Sequence, residues 1–191
     1  METSVYLDFD GVLNSFNYNP QLLKKKTGFE GWAKSIAFNG HFSFMTSYTR
    51  NLAVRDLAER DDVNFVWLTT WWQDPESVEY ATKIEGYPFY DRSYATVETW
   101  TDKAKADRNR FSAYEWMAWK ADVVASWQKP SDRFVWVDDD AIPKGFQREH
   151  PNALLVRPSA TFGLNRQQYD SIVDYVSASQ FAAPPTLGMV E

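Results

Sequence analysis

Ser4-Val5-Tyr6-Leu7-Asp8-Phe9-Asp10-Gly11-Val12-Leu13-Asn14 is a short apolar run that ends in two aspartates spaced i, i+2 and then a glycine. The run Val5–Phe9 is rich in β-branched and aromatic residues and alternates only weakly. That pattern predicts a strand of a parallel sheet buried on both faces. Gly11 permits a sharp turn just past the strand end. Open α/β sheets bind ligands outside the carboxyl ends of their strands, so Asp8 and Asp10 fall where chemistry is done. If the extended backbone persists through Asp10, a period of two points both carboxylates to one side. Two ionised carboxylates this close repel. A divalent hard cation can neutralise them, or one can hold a proton and act as an acid. The plain alternative is a turn, because Asp-Phe-Asp-Gly is also good turn chemistry.

Three later stretches bear on that choice. Phe65-Val66-Trp67-Leu68-Thr69-Thr70 is a second apolar run, ending in hydroxyls. Lys120 lies in a mostly apolar, helix-like segment. Phe134-Val135-Trp136-Val137-Asp138-Asp139-Asp140 is a third apolar run, ending in acids. Asp-x-Asp-Gly-Val, strand–Thr, Lys and strand–Asp-Asp, in this order from Asp8 to Asp139, resemble the haloacid dehalogenase-like (HAD) phosphohydrolase superfamily. Leu-Asp-x-Asp-Gly-Val-Leu-Asn, Trp-x-Thr-Thr-Trp and Trp-Val-Asp-Asp are most similar to small HAD-type proteins of actinobacteria and their phages. The resemblance implies an α/β fold: a HAD-like Rossmannoid three-layer sandwich with a central parallel sheet, a β-hairpin flap after strand 1 and a minimal cap.

The resemblance also implies roles. Asp8 is the nucleophile, forming an aspartyl-phosphate. Asp10 protonates the leaving alcohol and then activates water. Thr69 or Thr70 donates to the phosphoryl oxygens; two hydroxyls in a row leave that choice open. Lys120 places its ammonium between Asp8 and the phosphate, with Lys103, Lys105 and Lys129 as nearby alternatives. Asp138 and Asp139 complete an octahedral Mg²⁺ shell with Asp8, the backbone carbonyl of Asp10, phosphate and water. Asp140 reads as a helix N-cap or a surface residue. An acid at Asp10 favours phosphoester chemistry over carbon–halogen cleavage. Receiver-type signalling domains also combine Asp, Thr and Lys around Mg²⁺, but there the acidic pair comes first; here it comes late.

Composition narrows the field. The 191 residues predict one domain over 1–176, with a flap insertion at about 15–49, a small lid at about 87–110 and a flexible tail over 177–191. The absence of cysteine excludes disulfides and cysteine-based zinc sites. His41 and His150 are too few for a His-rich site, so oxygen ligands and Mg²⁺ are expected. A net charge of −6 argues against broad, salt-driven nucleic-acid binding without excluding a local basic patch. The N-terminus carries no signal-peptide pattern and the chain no membrane-length apolar segment, so a cytoplasmic protein is expected. Aromatics reach 17%, which an aromatic-rich core or a set of base-stacking surfaces would each explain.

Within the insertion, Trp32–Phe38 and His41–Met45 flank Asn39-Gly40, a strong hairpin signal. Ile36, Phe38, Phe42 and Phe44 are expected to cover one side of it. Lys24-Lys25-Lys26 reads as a solvated face or a phosphate contact, and so do Lys103, Lys105, Arg108 and Arg110. A helix is expected from Thr49, as its N-cap, to Arg60, another from Asp74-Pro75-Glu76 to about Glu85 with Gly86 ending it, and a third over Ser112–Trp127 with Ser112 and Glu115 as a capping box. In that third helix Lys120 is a site residue or a snorkelling surface lysine. The aromatic stretch Tyr87–Trp100 predicts a short strand or a loop over the site. Asn152–Arg157 predicts a last core strand, and Asn165 caps a final helix through Val176.

Three functions follow. The first is a Mg²⁺-dependent phosphatase acting on a small phosphomonoester, with a nucleotide as first candidate. The second is a polynucleotide end phosphatase of nucleic-acid repair, supported by the aromatics and the Lys103–Arg110 cluster and opposed by net charge. The third is a catalytically silent HAD-like binding protein.

Overall fold

The computed structural model describes residues 2–38, 40–96 and 118–178. Three of the predicted apolar runs form adjacent strands: β1 (Thr3–Leu7), β4 (Val63–Trp67) and β5 (Phe134–Val137), with β6 (Leu154–Val156) beyond. The sheet is parallel throughout, in the order β4-β1-β5-β6. Strands this apolar must be covered on both faces. Val5, Leu7, Phe65, Trp67, Val135 and Val137 pack on one side against α2 (Tyr48–Ala58) and α6 (Arg166–Ala178). Tyr6, Val66, Phe134 and Trp136 pack on the other against α4 (Ala118–Trp127) and the short α5 (Phe146–Glu149). The result is the three-layer α/β sandwich that the sequence predicts.

The insertion after β1 contains the expected hairpin, β2 (Trp32–Ile36) paired antiparallel with β3 (Ser43–Ser47). Asn39 of its Asn-Gly signal lies outside the described residues. The register corrects the expected face. Ile36 stands opposite Ser43, while Phe44 stands opposite Ser35, so Ile36 and Phe44 point to opposite sides. Phe44 is buried, whereas Ile36, Phe38 and Phe42 are exposed.

An unpredicted helix, α1 (Pro20–Thr27), precedes the hairpin. Asn19 accepts from the Gln21 and Leu22 amides at its start, and Gly28 closes it in the left-handed conformation. Lys24, Lys25 and Lys26 lie in its last turn, where cations stabilise the helix by offsetting the negative pole of its dipole.

Other boundaries shift by a residue or a few. The N-cap of α2 is Ser47, not Thr49, whose hydroxyl instead receives the Glu30 amide. Helix α3 (Pro75–Thr82) ends at Lys83, which takes the left-handed conformation before Gly86 is reached. Asn165 and Gln168 cap α6 reciprocally, and that helix runs on through Ser177 to Ala178. Phe89 makes a bridge to Trp67, and the Trp67 amide and carbonyl bond to Pro88 and Tyr90, so this stretch extends the sheet edge beside β4. The Lys103–Arg110 cluster, the Ser112–Glu115 capping box and the tail from 179 lie outside the described residues.

Arg50 of α2 is fully buried and ties two loops together. Its guanidinium donates to the carbonyls of Leu13, Phe162 and Leu164 and lies over the Trp32 ring, 4.6 Å from its centroid. Among the described residues, no helix is long and apolar enough to cross a membrane.

Candidate active site

Register assembles the site. Leu7 pairs with Val137 in the ladder, so the next residues, Asp8 and Asp138, emerge side by side from the carboxyl ends of β1 and β5. The ladder continues one step further, with the Asp8 amide on the Val137 carbonyl at 3.0 Å and the Asp138 amide on that of Val156 at 3.1 Å. The chain leaves β1 for β4 on one side and returns to β5 on the other, so the two aspartates stand where the strand order reverses.

Lys120 of α4 reaches this point from the second face of the sheet. Its Nζ donates to Asp8 Oδ2 at 2.7 Å and to Asp138 Oδ2 at 2.8 Å, and the side chain is 0% exposed. The snorkelling alternative is therefore overturned. Burial pulls the ammonium's pKa down, but Asp138 and Asp8 outweigh it and hold it above the usual lysine range. Asp8 is pushed well up by burial, against the pull of Lys120. Its Oδ1 accepts from the Phe9 amide at 2.7 Å. Asp138 Oδ1 accepts from the amides of Asp140 and Ala141, which fixes its rotamer.

Asp139 completes the cluster. Carboxylate oxygens of Asp8, Asp138 and Asp139 lie within 4.8 Å of one another. Burial, and then the neighbouring Asp138, push Asp139 up to about 6. With all three acids ionised, one ammonium against three carboxylates leaves two negative charges, the complement of one divalent cation. The donors are all hard oxygens, so the set fits Mg²⁺. Gly11, at φ +66°, is required here, because a Cβ at that position would overlap the Asp139 carboxylate. Asp140 is exposed.

Asp10 takes different partners. The last ladder bond of β1 is that of the Asp8 amide, and the chain then curls around the Phe9 carbonyl, which accepts from the amides of Val12, Leu13 and Asn14. The expected shared orientation of Asp8 and Asp10 therefore does not rest on a continuing strand. Asp10 Oδ1 accepts from Asn14 Nδ2 at 2.6 Å and Oδ2 from Trp71 Nε1 at 2.8 Å. Its carboxylate is not part of the three-acid cluster.

Thr69 is fully buried just beyond β4. Its hydroxyl accepts from the Trp71 amide at 3.4 Å and caps the 3-10 turn Thr70–Gln73, in which Thr70 is half-buried.

Two residues to which sequence reasoning assigned no role join the site. Asn14 spans it, because its Oδ1 accepts from the Met45 amide of β3 while its Nδ2 holds Asp10. Trp71 holds the other oxygen of Asp10 and packs edge-to-face on Phe9, Phe42 and Phe44. Asn14 stands four residues after Asp10, and Trp71 closes the Trp-x-Thr-Thr-Trp stretch. Both lay inside recognised motifs, which was the available signal.

Neither the curated proteins nor the solved structures yield a match to the sequence. The chain belongs to the family of the HAD domain in Swiss Army Knife RNA repair proteins, whose model matches residues 4–169.

Proposed function

We propose that this chain is a Mg²⁺-dependent phosphatase that opens a phosphomonoester through an aspartyl-phosphate on Asp8. The observation that carries this reading is the buried Lys120 ammonium joining Asp8 to Asp138 beside Asp139. A catalytically silent scaffold has no use for that arrangement. Three clustered acids around one lysine oppose folding unless a cation shares the site.

The chemistry follows from the residues. Asp8, oriented by Lys120, attacks phosphorus as the carboxylate, and the ester oxygen departs with a proton from Asp10. Asp10 then removes a proton from water as that water attacks phosphorus and breaks the Asp8–phosphorus bond. A positioned acid–base group of this kind contributes about 10²–10⁴-fold. We assign the phosphoryl contact to Thr69, because its hydroxyl receives the Trp71 amide and keeps its own proton free to donate. Asp8, Asp138 and Asp139, with the Asp10 carbonyl, would hold Mg²⁺, which when bound offsets the charge that builds on the phosphoryl oxygens.

For the substrate, we favour the terminal phosphate of an RNA strand. The family description names RNA repair proteins. The free nucleotide is the second reading, supported by the net charge of −6. The experiment is Mg²⁺-dependent phosphate release from nucleotides, sugar phosphates and oligonucleotides phosphorylated at either end. Release that disappears with Asp8→Asn and with chelator is expected, with oligonucleotides preferred. No release from a folded, Mg²⁺-loaded protein would sink the phosphatase, and preference for mononucleotides would replace the RNA end with the second reading.

A further inference from the structure

The hairpin buries Phe44 but leaves Phe38 and Phe42 facing outward. Phe38 is 59% exposed, Phe42 56%, and Tyr80 of α3 49%. Rings left in water singly need no explanation, but a group of them next to a site marks a binding surface. These rings continue from the site itself. Trp71, which holds Asp10, has its ring centroid 5.2 Å from that of Phe42. The Ala37 amide donates to the Phe42 carbonyl across the hairpin, and Phe38 follows Ala37 in the chain. Phe38 lies 5.1 Å from Tyr80, and its amide donates to Ser77 Oγ, docking the tip on α3. Lys83 ends the row, with Nζ 4.0 Å from the Tyr80 centroid.

We propose that Phe42, Phe38 and Tyr80, with Lys83, form a stacking platform for the unpaired bases next to the phosphorylated end of single-stranded RNA. The inference rests on the phosphatase reading above and names the form of its substrate. Every base has a π-face, so such a platform tolerates any sequence, and a cation among the rings meets the phosphodiester. Lys83 supplies the cation beside Tyr80, on a helix that also carries Glu76 and Glu79, so the rings and not the charge carry most of the proposed binding. An apolar protein partner would have to desolvate that ammonium. Bases in a duplex are already stacked and paired, so a blunt duplex offers the platform no face beyond its last pair.

The test compares a 5′- or 3′-phosphorylated single-stranded oligoribonucleotide, the same strand in a blunt duplex, and a simple aryl phosphate. Selectivity for the single strand over the aryl phosphate, as the ratio of kcat/KM, is expected to fall on the order of tenfold in Phe42→Ala and in Phe38→Ala/Tyr80→Ala. Fluorescence anisotropy with the Asp8→Asn protein reads binding without turnover. There, Phe38→Ala/Tyr80→Ala should weaken single-strand binding on the order of tenfold, and Lys83→Ala should lower the slope of log K against log salt by about 0.7. Equal binding of duplex and single strand, or unchanged binding in the ring variants, would overturn the platform. So would a dimer by sedimentation that Phe38→Ala dissolves, because the rings would then be an interface between copies. Loss of aryl-phosphate hydrolysis in the unmodified protein would instead strike the phosphatase reading, while anisotropy would still decide the platform.

Discussion

Lys120 is the residue on which the site's charge balance turns. Removing one partner of a buried ion pair costs about 3–5 kcal/mol, because the remaining charge is left uncompensated. Lys120→Met leaves Asp8 and Asp138 facing each other with nothing between them. It is expected to abolish turnover and to melt well below the parent protein in chelator. Mg²⁺ should return much of that stability, since the metal neutralises the same carboxylates; thermal melts with and without Mg²⁺ check this, and a loss that Mg²⁺ leaves untouched would contradict it. At this scale the sequence was legible where chemistry leaves a spaced pattern. Asp8, Asp138, Asp139 and Lys120 all lie in the ordered motifs, and the structure brings them together. Asn14 and Trp71 carry no readable role in the sequence because the bonds that give them one, to Met45 and to Asp10, span 31 and 61 residues and leave no spacing to read.

At the scale of elements, the hairpin is wired to Asp10, the proposed acid–base residue. Asn14 holds the Met45 amide of β3 with one atom and Asp10 with the other. Asn14→Ala removes both bonds at once. Turnover of alkyl phosphates, whose leaving group needs a proton, is expected to fall by at least tenfold, within the about 10²–10⁴-fold that a positioned acid–base group supplies. Aryl phosphates, whose leaving group departs unaided, should lose much less. Equal losses on both substrates would mean that Asn14 only supports the fold. The hairpin itself was legible from the Asn-Gly signal between aromatic runs. Its faces were not, since the register Ile36↔Ser43 is set by pairing across the turn. Helix α1 was missed although Asn19, Pro20 and Gly28 are all helix-boundary residues. Buried Leu23 is its one core-facing aliphatic, too little for periodicity to register.

For the whole molecule, the buried acids couple stability to pH and metal. Asp139 rises from 3.8 to about 6 on folding, chiefly through burial. Between those values the folded, metal-free protein keeps a proton that the unfolded chain has released, so its stability falls as pH rises through this window. Protons and Mg²⁺ compete for the same carboxylate, so Mg²⁺ affinity should rise across the same range. Calorimetric titration at about pH 5 and about pH 7 checks this, and equal affinities would contradict it. The three layers and the parallel sheet were legible because both faces of each central strand are apolar. The long-range ties were not: Arg50, a charged residue in an incomplete apolar pattern, holds the loops at Leu13 and Leu164 from inside the core. The proposed reaction requires that Asp8 become phosphorylated. Its most direct test is mass spectrometry of the Asp10→Asn protein, acid-quenched during turnover of an aryl phosphate with Mg²⁺. That substrate needs no acid to leave, but breakdown of the intermediate needs the missing base, so a phosphoryl adduct on the peptide bearing Asp8 is predicted. Sustained phosphate release with no adduct, together with an active Asp8→Asn protein, would contradict the account.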